Sequence, residues 1–120
     1  MNSWLAVAIG GALGAVLRFG ISEWLNSETH PWGTLTVNMI GSLLLGITMA
    51  ALAQELVSKE IALLVGTGIL GAFTTMSTFS LETVKMWDNS PSLAVGYVVV
   101  TMILCPLLAF AGWKTTEVIA

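Results

Sequence analysis

The chain has 120 residues, of which 56% are hydrophobic and 9% charged. Soluble domains average about 45–50% apolar and about 25% charged residues, so an ordinary soluble enzyme and a disordered chain are both excluded. Four Lys+Arg against seven Asp+Glu leave a net charge of −3, which excludes a nucleic-acid binder. A single cysteine excludes an intramolecular disulfide framework and a Cys-cluster metal site. With a mean hydropathy of +0.89, what remains is an integral membrane protein.

A spanning helix needs about 20 mostly apolar residues. The first such stretch runs from Trp4 to Ile21, its only charge being Arg18 near the end. Asn26-Ser27-Glu28-Thr29-His30-Pro31 then carries turn chemistry. The second stretch, Trp32 to Ala53, has no charge, and Gln54 to Glu60 connects it to the third, Ile61 to about Lys85, with Glu82 near its end. After Asp88-Asn89-Ser90-Pro91 the fourth, Leu93 to Trp113, is again uncharged. Trp4, Trp24, Trp32, Trp87 and Trp113 all fall at predicted span ends, where an indole prefers the membrane–water interface. The expected architecture is one all-α unit, residues 1–120, of four transmembrane helices. The N-terminus lacks the basic region of a secretory signal, and its apolar stretch is too long for one. Halves of similar length suggest an internal duplication, although no residue-level repeat supports it.

Orientation is balanced. Lys59 and Lys114 fall on one side of the membrane and Arg18 and Lys85 on the other, so the Lys/Arg bias that normally sets topology is missing. Two readings stand. Either the chain inserts in both orientations and forms an antiparallel homodimer, or one loop decides and the tie is chance. Four helices of this length leave little room for an enclosed aqueous path, so a pore is easier to build between subunits.

Polar groups inside the spans come next. Gly10, Gly11 and Gly14 on span 1, Gly41 and Gly46 on span 2, and Gly66, Gly68 and Gly71 on span 3 suit close helix approach in lipid. Span 2 holds Asn38, with Thr34 one turn before it on the same face. A buried amide is costly unless hydrogen-bonded, so it either glues helices or serves a function. Span 3 carries Gly71-Ala72-Phe73-Thr74-Thr75-Met76-Ser77-Thr78-Phe79-Ser80. Its hydroxyls compete for backbone groups and predict a helix broken near its middle, which is tolerated at membrane depth only when buried in protein or lining a cavity. The free carbonyls and N–H groups of such a break bind ions. Span 4 aligns Tyr97, Thr101 and Cys105 at i, i+4 and i+8, one polar stripe that is either a path for a hydrogen-bonding solute or interhelical glue. No Asp, Glu, Lys or His falls mid-span. Ion-coupled transporters usually carry one, so a passive path lined by neutral donors is favoured, which suits an anion that must also leave.

Three segments together resemble the CrcB/Fluc fluoride channels: Gly10 to Arg18, Gly33-Thr34-Leu35-Thr36-Val37-Asn38, and Gly71 to Glu82. The resemblance covers nearly the whole chain. It implies an antiparallel, dual-topology homodimer in the bacterial inner membrane, with two pores that export cytoplasmic fluoride passively and a structural sodium ion at the dimer centre. The sodium would be held by the backbone carbonyls of Gly71 and Thr74. The pore residues implied are Asn38, Phe79, Met76, Thr34, Tyr97, Thr101 and Cys105, with Arg18 near a vestibule or interface. Fluoride would exchange its water for close donors, namely the Asn38 amide, the Thr101 hydroxyl and the positive edge of an aromatic ring. The family pattern usually reads Thr-Thr-Phe-Ser-Thr-Phe, and here Met76 takes the first Phe position. Its thioether has no positive edge. The expectation is that it fills the same volume and that conduction persists at an altered rate. Cys105 likewise stands where a hydroxyl is common. The rival readings are a small cation exporter, which needs a carboxylate mid-span 1 that this chain lacks, and a non-transporting scaffold subunit, which the polar break disfavours. His30 and Pro31 read as loop. Glu82 either pairs near the break or is solvated at the span end.

Overall fold

The computed structural model describes all 120 residues. Helix α1, Ser3–Leu25, starts where the Asn2 side chain accepts from the amides of Trp4 (2.7 Å) and Leu5 (3.2 Å). It stops at Asn26, whose Oδ1 instead accepts from the amides of Gly33 (2.7 Å) and Thr34 (3.2 Å). One side chain therefore ends α1 and satisfies the orphan donors at the start of α2, Trp32–Ala53. The chain reverses after α2 through Glu55, which adopts a left-handed φ of 58°.

The third span, residues Lys59–Asn89, is composite. Helix α3, Lys59–Ala62, is capped by Ser58. A π-helical stretch, Leu63–Leu70, and the short α4, Gly71–Phe73, follow. Thr74 and Thr75 are then extended, with ψ of 156° and 115°, and α5, Met76–Asn89, restarts under a Thr75 cap on the Thr78 amide at 3.1 Å. Helix α6, Pro91–Ile119, begins with a Ser90 cap and a proline at its first turn. These four units are long and apolar enough to cross a membrane. They run past the predicted apolar windows because the flanking polar residues are capped and stay helical. The predicted break is present, at Thr74–Thr75. The π-helical stretch is not legible in the sequence, since its residues are apolar all round and no period stands out.

Glycines set the packing. A Cβ on Gly10 would collide with the Leu64 carbonyl and one on Gly14 with the Ile69 carbonyl, so α1 lies backbone-to-backbone along residues 59–73. The two run parallel: the Met1 ammonium meets Glu60 at 3.0 Å at one end, and Arg18 reaches Ala72 at the other. Gly46 sits in the same way on Ala109, and Gly112 on Leu43; Leu35 borders one cavity with Leu93 and Gly96 and, further along, Ser42 borders another with Cys105 and Ala109, so α2 and α6 are a second parallel pair. Small residues let helices approach where lipid supplies no hydrophobic drive. Helix α5 turns back along α6, with Phe79, Met86, Ala94 and Tyr97 forming a small apolar core. The molecule measures 47 × 31 × 19 Å. Since one helix with side chains is about 10 Å across, it is two helices thick, and much of its apolar surface faces outward. Val16 is 71% exposed and Phe19 65%.

Candidate functional site

The polar atoms of the spans converge on the break. Asn38, 9% exposed, clasps one peptide unit: its Oδ1 accepts from the Thr75 amide at 2.8 Å, and its Nδ2 donates to the Thr75 carbonyl at 3.2 Å. The amide has two N–H groups, so one remains free. Two helical amides are diverted here. The Thr75 amide, which a continuous helix would aim at the Gly71 carbonyl, goes to Asn38. The Thr78 amide, which would serve the Thr74 carbonyl, goes to the Thr75 hydroxyl. The carbonyls of Gly71 to Thr74 thus face the break without the i+4 partners a continuous helix would give them. Between them, the Ala72 carbonyl accepts from Arg18 Nε at 3.0 Å. Arg18 therefore lies against the break, on α1.

An open-sided cavity of about 390 Å³ adjoins this point and is lined by Asn38, Met76, Phe79, Thr101 and Cys105 together with Ser42, Thr74 and Thr75, among others. Parallel packing of α2 and α6 places the span 2 and span 4 polar positions side by side, and the break swings the start of α5 onto them. Most hydroxyls in the wall are already committed: Ser42 donates to the Asn38 carbonyl at 2.6 Å and Thr75 to Thr78 Oγ1 at 3.1 Å. Thr101 is the exception. It is 4% exposed, and its Oγ1 has no partner. A buried unsatisfied hydroxyl costs about 1–3 kcal/mol, so Thr101 is the wall hydroxyl whose hydrogen-bonding capacity the fold leaves unused.

Thr34 and Tyr97 are brought together elsewhere. Both donate to Glu82, Thr34 to Oε1 at 2.6 Å and Tyr97 to Oε2 at 3.3 Å. Tyr97 also meets the Phe79 ring edge-on, with centroids 5.0 Å apart and planes at 65°, so it links the Glu82 cluster to the cavity. Glu82 is the participant that sequence reasoning left open, because its partners lie on two other helices. A second, polar cavity of about 460 Å³, bordered by the 26–31 loop, Thr78, Glu82 and Lys85, opens from the other side of this carboxyl. Ser42 and Thr75 were also missed. Their signal was present in the sequence: Ser42 falls one turn after Asn38, and Thr75 is the natural N-cap of α5. Gly71 and Arg18 do not line the 390 Å³ cavity.

Four spans, a broken third helix and a cleft of neutral donors beside the break define a small multi-pass membrane protein with a candidate site next to the break in its third span. The chain belongs to the CrcB family: the profile of the CrcB-like protein, Camphor Resistance (CrcB) family matches residues 5–113. Among curated relatives, it is 43% identical over 114 residues to the "Fluoride-specific ion channel FluC" of Thermotoga petrophila, covering 91% of this chain and 90% of the relative. It is 43% identical over 112 residues to "Fluoride-specific ion channel FluC 2" of Bacillus subtilis, covering 93% and 86%. The Thermus thermophilus protein of the same name as the first is 38% identical over 118 residues, covering 95% and 93%.

Proposed function

We propose that this protein is a passive, fluoride-selective channel, an ion transporter rather than an enzyme, and the observation that carries the reading is the unpartnered Thr101 hydroxyl. It is a neutral donor held in a buried wall beside Asn38 and Phe79. Fluoride is small and strongly hydrated, so a path must offer close donors at every step without a full charge that would trap it. The Thr101 O–H, the free Asn38 N–H and the positive ring edge of Phe79 meet that need in one cavity. Tyr97 and Thr34 have their hydroxyls turned to Glu82, so they serve an anion once that carboxyl swings aside. Met76, 64% exposed at the rim, contributes volume rather than a positive edge. The names of the relatives agree with this cargo.

The channel acts as an antiparallel homodimer with two pores in the bacterial inner membrane. Two features support the dimer: the cavity is open-sided and the protomer is two helices thick. A structural sodium ion would be held by the Gly71 and Thr74 carbonyls. The two diverted amides leave these oxygens available, and the chain offers no His, Cys, Asp or Glu cluster for another metal. When bound, the ion supplies a fixed positive charge beside the break. Arg18, by holding Ala72, fixes the turn that presents both carbonyls. Fluoride-electrode recording of efflux from sodium-containing liposomes tests the reading. Rapid fluoride release with chloride retained is expected, and retention of fluoride, or equal release of chloride, would overturn it.

A further inference from the structure

Sulfur is concentrated at one place in this chain. Met76, Met102 and Cys105 all line the cavity beside the break, and all three carry sulfur. The chain's other methionines do not line it. Cys105 is a free thiol. Met76 and Met102 are 64% and 44% exposed, and their unbranched, flexible side chains border the same cavity as the thiol. The Thr101 hydroxyl, buried and unpartnered in the same wall, adds a vacant polar position. No group of three or more His, Cys, Asp or Glu side chains is placed to hold a divalent metal. A thiolate with two thioethers, in contrast, is the donor set that selects soft d¹⁰ monovalent ions.

We infer that Met76, Met102 and Cys105 form a binding site for a soft monovalent cation, Cu(I) or its analogue Ag⁺. Binding forms a Cys105 S–metal bond and releases the thiol proton to solvent, with no change of oxidation state. Affinity therefore rises with pH, as for any thiolate ligand. The two thioethers complete the coordination without proton exchange. The site shares its cavity with Asn38 and Phe79, so a bound cation places a full charge and a plug in the path. This second consequence, block of fluoride efflux, rests on the fluoride-channel reading. The binding itself does not.

The probe is Ag⁺, titrated calorimetrically into the purified full-length protein in a chloride-free nitrate buffer with maltoside detergent. Saturable binding of one Ag⁺ per chain with release of one proton is expected. Cys105→Ser, and separately the double variant Met76→Leu/Met102→Leu, should each weaken it by about tenfold or more, as loss of a soft ligand demands. Met49→Leu, away from the cavity, should bind like the parent. Each variant must give the parent's monodisperse elution profile, and the near-isosteric Leu replacements are chosen to keep it. Undiminished binding in the double Met variant, or in Cys105→Ser, would overturn the three-sulfur site, as would the absence of saturable binding. In liposomes, Ag⁺ block is scored against each variant's own silver-free efflux. Binding without block leaves the metal site standing and removes this cavity from the fluoride path.

Discussion

Removing the Asn38 side chain should release the break. In the structure this one amide satisfies both polar groups of the Thr75 peptide, at 2.8 and 3.2 Å. Asn38→Ala leaves an N–H and a C=O without partners, each costing about 1–3 kcal/mol when buried. Thr75 borders the cavity, where water relieves part of that, so the lower end applies, about 2 kcal/mol for the pair. That corresponds to about a 30-fold shift in the equilibrium between pinned and unpinned break. Asn38→Asp separates the two bonds. It keeps an acceptor for the Thr75 amide but points a second oxygen at the Thr75 carbonyl and puts a carboxylate in the anion path, so its efflux should fall below that of Asn38→Ala. The assays are reversible unfolding in mixed micelles and fluoride-electrode efflux from liposomes. An Asn38→Ala protein within about 0.5 kcal/mol of the parent, the range of an inconsequential surface change, and with normal efflux would refute the clasp.

Further consequences follow from the same geometry. Thr101→Val removes a buried hydroxyl that has no partner, so the protein should unfold at equal or higher denaturant, by up to about 1 kcal/mol, while fluoride efflux drops. A variant that is less stable, or that conducts normally, would show the hydroxyl to be bonded or idle. Gly14→Ala drives a Cβ into the Ile69 carbonyl and should cost about 1–3 kcal/mol as overpacking. Gly11→Ala, with nothing within 4 Å, should be neutral or stabilising by up to about 1 kcal/mol, and the two are compared by thermal melting in detergent. Phe79→Ile removes the ring edge at the cavity and its edge-on contact with Tyr97. Efflux should fall while the protein stays monodisperse, and unchanged efflux would take the ring out of the path. Exhaustive dialysis against N-methylglucamine in place of sodium should slow efflux, and restoring sodium should recover it. Indifference to sodium would dismiss the Gly71 and Thr74 carbonyls as its ligands.

Much of the architecture was legible from composition. Four apolar windows, turn residues between them and tryptophans at their ends are local properties, and lipid makes them decisive because a spanning segment must satisfy its own backbone. The break was legible too, since Thr74, Thr75, Ser77 and Thr78 compete for backbone groups. Its position was expected only within Gly71 to Ser80. Thr75 settles the point by capping Thr78 and receiving Asn38, a partner 37 residues away. The span ends were underestimated because side-chain caps such as Asn2 and Ser90 extend helices beyond their apolar stretch.

The candidate residues divide along the same line. Asn38, Thr101 and Cys105 stood out as polar positions within apolar spans, and Phe79 only through the family resemblance. That they share one wall with Met76 was not legible, because it depends on Gly46 and Gly112 bringing α2 and α6 into backbone contact and on the break redirecting α5. Tyr97 and Thr34 were expected as members of the same lining, yet the fold aims both at Glu82. By itself, then, the amino-acid order determined a four-span membrane protein of the CrcB family with a polar fault in its third helix, because hydropathy, capping and backbone competition act over a few residues. Only the tertiary structure decided which donors remain free, since Asn38, Arg18 and Glu82 each find their partners on another helix and Thr101 alone finds none.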